Sequence, residues 1–435
     1  MIRELVSLDR RFTCPVDYVE PDRYRALYAI GDHERIIAQG AGTSYTAASF
    51  GRGVKVVSMR HFDRILDFDA AAGLVEVEAS CPLGRIDHFL ARHGYTLPVQ
   101  PGHPQITVGG CIACNAHGKN PYRDGLFCDA VQQIRLFHPR CGLVTLHREA
   151  HRSVFELTCG GFGLTGVIVS ARLQARPQPR AVANMRTISV GDLHETFEAL
   201  DEQAAETDVL YTWNDLSRPS RGGRGFVVCG QFEPCDDAVE ADESWRPLES
   251  GGRRGPRVWR RGTVPVLNEL YRRVACRHAR PVRTRRFDAI YPITRKAFYY
   301  RLYGRYGFVE QQVIMPNDVR HDYADALSRL VRETDPCVVL ASCKAFRGPR
   351  SLLHFRGVCL SVDVVPDAAG RRFLDRLDDL NDERGAISNL CKDSRLSAEH
   401  VRKQYGPEYE RFRRRLHRFD PGRQFVSALS ERIDL

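Results

Sequence analysis

Between Thr107 and Asn120 the chain reads Thr-Val-Gly-Gly-Cys-Ile-Ala-Cys-Asn-Ala-His-Gly-Lys-Asn. Glycine serves where a backbone must approach a neighbour closely or take positive φ, so Gly109 and Gly110 reserve space for something flat or bulky. The β-favouring residues before them predict a glycine-backed strand that forms a binding surface. His117 and Lys119 follow directly, placing a titratable ring and a cation at its rim. Pro101-Gly102 and Asn120-Pro121 bracket the stretch with turns. Cys111 and Cys114 form a Cys-x-x-Cys pair, but lack the helix start of a redox motif or the second pair of a zinc site. They are expected to be small buried thiols, and no metal is expected.

Two other glycine runs flank this one. Arg35 to Gln39 reads as a strand breaking into Gly40-Ala-Gly-Thr-Ser-Tyr45, a turn able to aim successive amides at phosphate oxygens. Cys159-Gly-Gly-Phe-Gly-Leu-Thr-Gly166 matches G-x-G-x-x-G literally, yet Val167 to Leu173 has strand character where a dinucleotide fingerprint needs a helix. Between the runs, Val54–Ser58 and Leu74–Ala79 read as strands. Pro82–His93 reads as a helix ended by Gly94, and Val131–Phe137 with Leu143–Leu146 as a hairpin.

A chain of 435 residues exceeds one simple core and implies two or three domains. Arg176-Pro-Gln-Pro-Arg180 predicts a boundary. Beyond it, helices are expected at Asp192–Glu206 (Asp192 as N-cap), His321–Thr334 and Gly370–Glu383. Strands are expected at Phe226–Phe232, Val309–Met315, Val338–Phe346 and Val358–Val365, and a basic helix runs to Arg418. The stretch 234–286 is expected to be a long basic loop, since arginines crowd Arg246 to Arg286. With a net charge of +10, such a block attracts polyanions or an anionic membrane, or is simply solvated. No run of about 18 apolar residues predicts a membrane span, and Met1 to Arg11 has no signal-peptide core. A cytoplasmic protein with free thiols is expected.

The order of the glycine turn, the His-Gly-bearing double-glycine stretch and Gly-Gly-x-Gly-Leu-Thr-Gly resembles the vanillyl-alcohol-oxidase family, the PCMH-type flavoproteins. Lys344-Ala-Phe346 and Lys392-Asp-Ser-Arg395 bring it near that family's sugar oxidases, over nearly the whole chain. The resemblance implies an α+β protein. Residues 1–180 would form the FAD-binding domain, 181–388 a substrate domain with an antiparallel sheet flanked by helices, and 389–435 a segment returning to the FAD domain. FAD would be held by Gly40, Ala41, Gly42, Thr43, Ser44, Tyr45, Gly102, Thr107, Gly109, Gly110, Cys114, Asn115, His117, Gly118, Gly163, Gly166 and Val167. Thr43 occupies the place of the histidine that many relatives link to FAD, so the cofactor is expected to be non-covalent.

By the same resemblance the reaction is oxidation of a sugar secondary alcohol to a ketone by hydride transfer to flavin N5. Lys392 would supply positive charge beside flavin and substrate, and His117 would act as general base or substrate anchor. Lys119, Gln312, Lys344, Phe346, Ser361 and Lys392 would bind the substrate, with Lys119 facing a phosphate. The implied substrate is a polyprenyl-phospho-linked pentofuranose. The reaction would be one half of an epimerisation in cell-envelope synthesis, with an NAD(P)H-dependent ketoreductase as partner and a peripheral membrane contact. Three residues depart from the pattern: Glu310 in place of glutamine, Ser361 in place of cysteine, and Pro121 in place of histidine. An aldonolactone or polyol oxidase of the same fold is the alternative, and a non-catalytic basic binding protein a remote one; nucleic acid is not the expected partner.

Overall fold

Alternation of apolar and polar residues along the strands fixes which face of each sheet is buried. The computed structural model describes residues 1–179, 181–218, 222–235, 255–277, 280–348, 352 and 356–435, with the side chains of 295–297 excepted. In the first lobe, Ile2–Val6, Thr13–Val19, Lys55–Ser58 and Ile36–Gln39 form one sheet in that order, its last two pairings parallel. A five-stranded antiparallel sheet runs Ile65–Asp69, Leu74–Glu78, Val167–Gln174, Val131–His138, Gly142–His147. The helix Leu83–Arg92 buries Leu83, Ile86 and Leu90 with Val75, Val77 and Leu173 of this sheet. Each such side chain contributes about 1.5–3 kcal/mol. Gly94, at φ +76, ends the turn as expected, and the expected hairpin forms across Pro139 to Cys141.

The chain's last part packs into the same lobe. Val401, Tyr405, Tyr409, Phe425 and Leu429 share a core with Val16, Ile36 and Val56. Ile36 donates its amide to Gln424 (2.8 Å) and accepts from Val426 (3.1 Å).

The second lobe is an eight-stranded sheet. Its order is Val282–Arg285, Ala181–Val190, Gly225–Pro234, Val209–Asn214, Val338–Phe346, Gly357–Val364, Val309–Met315, Ile387–Ser388. Helices Arg320–Thr334 and Ala368–Arg384 cover one face, where Leu327, Phe373 and Leu377 meet Val358, Leu360 and Val362. The strands at 309–315 and 338–346 have the expected bounds. Asp192 caps its helix by accepting from the Glu195 amide.

Two expectations are corrected. Val108–Cys114, expected as strand, is a short helix, with the Thr107 side chain accepting from the Gly110 amide at its start and Asn115 in a left-handed conformation at its end. The Thr107 side-chain cap at its start outweighs the two β-formers. Within 234–286, expected as loop, Val264–Ala275 is a helix with a proline in its first turn, and Val282–Arg285 is a strand paired with Ala181–Val190. Residues 236–254, with Arg246, Arg253 and Arg254, lie outside the described residues.

Five of the described arginines of that stretch pair with carboxylates of the protein itself. Arg272 and Arg273 meet Glu269, Arg261 meets Asp335, and Arg285 meets Asp288. Arg286 reaches the first lobe and pairs with buried Asp87 at 2.8 Å. Asn120 also ties the lobes, donating to the carbonyls of Ala204 (2.9 Å) and Thr207 (2.7 Å). Among the described residues no helix is long and apolar enough to cross a membrane.

Candidate active site

A cavity of about 760 Å³ lies between the lobes, a size common for cofactor and ligand sites. Its first-lobe wall is built from the three glycine runs. Gly40 must lack a side chain because a Cβ there would collide with Thr107, and a Cβ on Gly109 would meet Ala79 at 3.1 Å. These two glycines thus let the turn, the short helix and a neighbouring strand end close on one another. Gly110 turns an open face to the cavity. Ser44 shapes the turn by accepting from the amides of Thr46 (3.3 Å) and Ala48 (3.0 Å).

Among the described residues the amides of Ala41, Gly42 and Thr43 meet no protein acceptor, and Gly42 has φ +68. The buried hydroxyl of Thr46, also on the wall, has no partner either. Backbone donors left free on a concave turn suit phosphate oxygens, and the long, largely apolar wall beyond suits a flat ring. The residues present therefore fit FAD. All those expected to hold it line the cavity except Gly118 and Val167. The Val167 side chain is in the core and Ile168 lines the wall instead. The Gly118 carbonyl accepts from Lys344 (2.9 Å). Cys114 neighbours Cys391 rather than Cys111, and their hydrogen bond holds the Cys114 thiol below its ordinary value against the effect of burial.

The second-lobe wall is the uncovered face of the large sheet. Period-two alternation brings Glu310 and Gln312, Ser342 and Lys344, and Ser361 and Asp363 to that face on three adjacent strands. Gln312 donates to Ser361 (2.7 Å) and accepts from Asn389 (2.6 Å). Lys344 reaches His117 Nδ1 at 3.2 Å, and His117 Nε2 lies 3.4 Å from Gln312 Oε1. An ammonium only donates, so Nδ1 accepts and Nε2–H donates. Phe346 packs edge-on against this imidazole, ring centres 5.1 Å apart. Lys392 pairs with Glu310 at 3.2 Å and sits 3.9 Å over the Tyr45 ring. The Lys119 ammonium lies 5.2 Å from the Tyr211 ring centre.

Burial, then Lys344, pushes the His117 imidazole well below its ordinary value. Burial lowers Lys119 to about 7, with Lys344 adding to it, and lowers Lys344 to about 8. Burial followed by Glu310 pushes the Asp363 carboxyl well above its usual range. Two expected roles change accordingly. His117 Nδ1 is crowded by the Lys344 ammonium and the Gly118 carbonyl (3.3 Å), and burial with Lys344 weakens the ring as a proton acceptor, which favours its role as an anchor over that of a base. Lys392 is the partner of a carboxylate rather than a lone cation.

Tyr211, Tyr299, Tyr300, Asp363 and Asn389 also line the cavity and were not anticipated. Asp363 stands two residues from Ser361 on one strand, so alternation alone signals it. The tyrosines arrive through tertiary contacts such as Tyr45 to Tyr300 (3.2 Å between hydroxyls), for which the sequence carries no local signal.

Comparison with known proteins agrees with this geometry. Residues 26–147 match the FAD binding domain family. The chain is 27% identical over 414 residues to decaprenylphosphoryl-beta-D-ribose oxidase of Mycolicibacterium smegmatis, covering 92% of this chain and 89% of that one. It is 28% identical to an uncharacterized protein of Streptomyces coelicolor, covering 81% of this chain and 100% of the other. L-galactono-1,4-lactone dehydrogenase 2 of Oryza sativa is 29% identical over 36% of this chain and 27% of its own. Residues 26–147 are thus a PCMH-type FAD-binding domain, and the chain is an FAD-dependent oxidoreductase.

Proposed function

We propose that the protein oxidises a secondary alcohol of a phosphate-bearing pentofuranose to the ketone. The observation that carries this reading is the pair Lys119 and Lys344. Both line the cavity, burial disfavours the charged form of each, and among the described residues neither forms an ion pair with a carboxylate, Glu310 acting on Lys344 only from a distance. A phosphate on the substrate supplies the missing counter-charge. Bound FAD supplies a hydride acceptor for the carbinol carbon. The protein residues position the sugar: Gln312, held by Ser361 and Asn389, keeps the His117 ring oriented, and that ring with Phe346 bounds the sugar-binding space.

A polyprenyl chain on the phosphate follows from the mycobacterial relative's name and is supported by the apolar mouth. Leu267, Tyr271 and Phe298 line that end of the cavity. Val266, Leu270 and Val274 stand outside it at 61%, 59% and 53% exposure. This exposed apolar stripe suits contact with a bilayer surface. The keto sugar made this way calls for a ketoreductase to complete an epimerisation.

The test is anaerobic bleaching of the FAD-loaded protein by candidate sugars. A phospho-linked pentofuranose is expected to bleach it, and Lys119→Met or Lys344→Met to weaken the spectrally measured affinity about 10- to 100-fold, as loss of a charged hydrogen bond does. Bleaching by free lactones or alditols, with no response to phospho-sugars, would replace this reading by the aldonolactone or polyol oxidase.

A further inference from the structure

Alcohol oxidation of the kind proposed above releases a hydroxyl proton, and a group on the cavity wall has to take it. Most titratable groups there are unavailable. Lys392 is engaged by Glu310, Lys344 by His117 Nδ1 and the Gly118 carbonyl, and the Lys119 ammonium lies against the Tyr211 ring. His117 is weakened as a proton acceptor by burial and by Lys344. Asp363 is pushed towards its neutral acid by burial, and its Oδ2 already accepts from Tyr299 (2.8 Å). Burial raises the phenols of Tyr45, Tyr299 and Tyr300, which disfavours their phenolates.

Glu310 remains. Its side chain is 10% exposed, it stands on the cavity face of Val309–Met315, and the Lys392 ammonium spans its two oxygens at 3.2 and 3.5 Å. We propose that Glu310 is the general base of the reaction, accepting the proton of the substrate hydroxyl. The O–H bond breaks and its proton goes to a Glu310 oxygen. The C–H electron pair leaves as hydride to FAD, and the C=O bond forms. Lys392, with its partner neutralised, is then free to donate to the new carbonyl oxygen. Glu310 returns its proton to solvent after the ketone leaves. This inference rests on the protein being an alcohol oxidase and is independent of which sugar it takes.

The test compares wild type, Glu310→Gln and Glu310→Asp by anaerobic stopped-flow, using whichever alcohol bleaches the wild type. Groups facing Glu310 are Lys392, Asp363, Lys344, Cys359, Tyr45 and Tyr300, so the pH profile is recorded for each variant. Glu310→Gln is expected to keep its FAD content and bind the ketone product within a few-fold of wild type by spectral titration. Its flavin reduction is expected to slow about 10²- to 10⁴-fold, with the acidic limb of the profile gone. Glu310→Asp is expected to recover part of the rate and the limb. Reduction of Glu310→Gln within threefold of wild type, with the acidic limb intact, overturns the assignment. A wrong sugar class shows in the choice of bleaching alcohol, and failure of every alcohol to bleach the wild type overturns both readings.

Discussion

Lys344 illustrates how much one half-buried ammonium organises. It holds the His117 tautomer, fixes the Gly118 carbonyl and lowers the charge preference of Lys119. Because Lys119 and Lys344 are lowered to about 7 and about 8, both are protonated below that range and neutral above it. Affinity for a phosphodiester, charged throughout, is therefore expected to fall as pH rises from about 6 to 9. Lys344→Met should flatten the profile, and a spectral titration against pH measures it. The motif around His117 marks the neighbourhood of this site, yet the histidine's engagement is invisible in sequence because Lys344 lies 227 residues away. Glu310 reads as a departure from a family pattern, and only its contact with Lys392 gives it chemistry.

Among elements, the apolar runs bounded by turns at Val309–Met315 and Val338–Phe346 are legible to the residue, even though the buried polar Gln311 interrupts the first. The helix Val264–Ala275 is not, because arginine density masks its apolar periodicity. Its exposed stripe recurs every fourth residue while Leu267 and Tyr271 face the cavity. On the proposed reading, the protein floats with phosphatidylglycerol vesicles, and Leu270→Ser with Val274→Ser reduces flotation several-fold without changing FAD content. A concentration-dependent dimer by light scattering, with no flotation, would assign the stripe to a second copy. The short helix Val108–Cys114 escaped for the opposite reason, since small residues carry little periodic signal and its start depends on one threonine cap.

At the scale of the molecule, several polar bridges join the lobes around the cavity, among them Asp87 with Arg286, Arg123 with Asp208 and Gln100 with Tyr291. Asp87 and Arg286 have side chains only 2% and 10% exposed. Arg286→Ala strands a buried carboxylate beside Thr96 and Gln100, and is expected to cost about 3–5 kcal/mol, read as a lower midpoint in denaturant. The double replacement with Asp87→Ala should cost less than the single one. A stability of the double variant below that of Arg286→Ala would remove this bridge from the account.

The return of the chain to its starting lobe has a consequence for biogenesis. Ile36, the strand that leads into the phosphate-suited turn, completes its hydrogen bonds with Gln424 and Val426, some 390 positions later. Closing so long a loop is slow and entropically costly. During synthesis the turn therefore emerges almost four hundred residues before the segment that steadies it. Cofactor capture is expected to be post-translational, and ribosome-bound chains stalled before residue 424 should retain no flavin fluorescence.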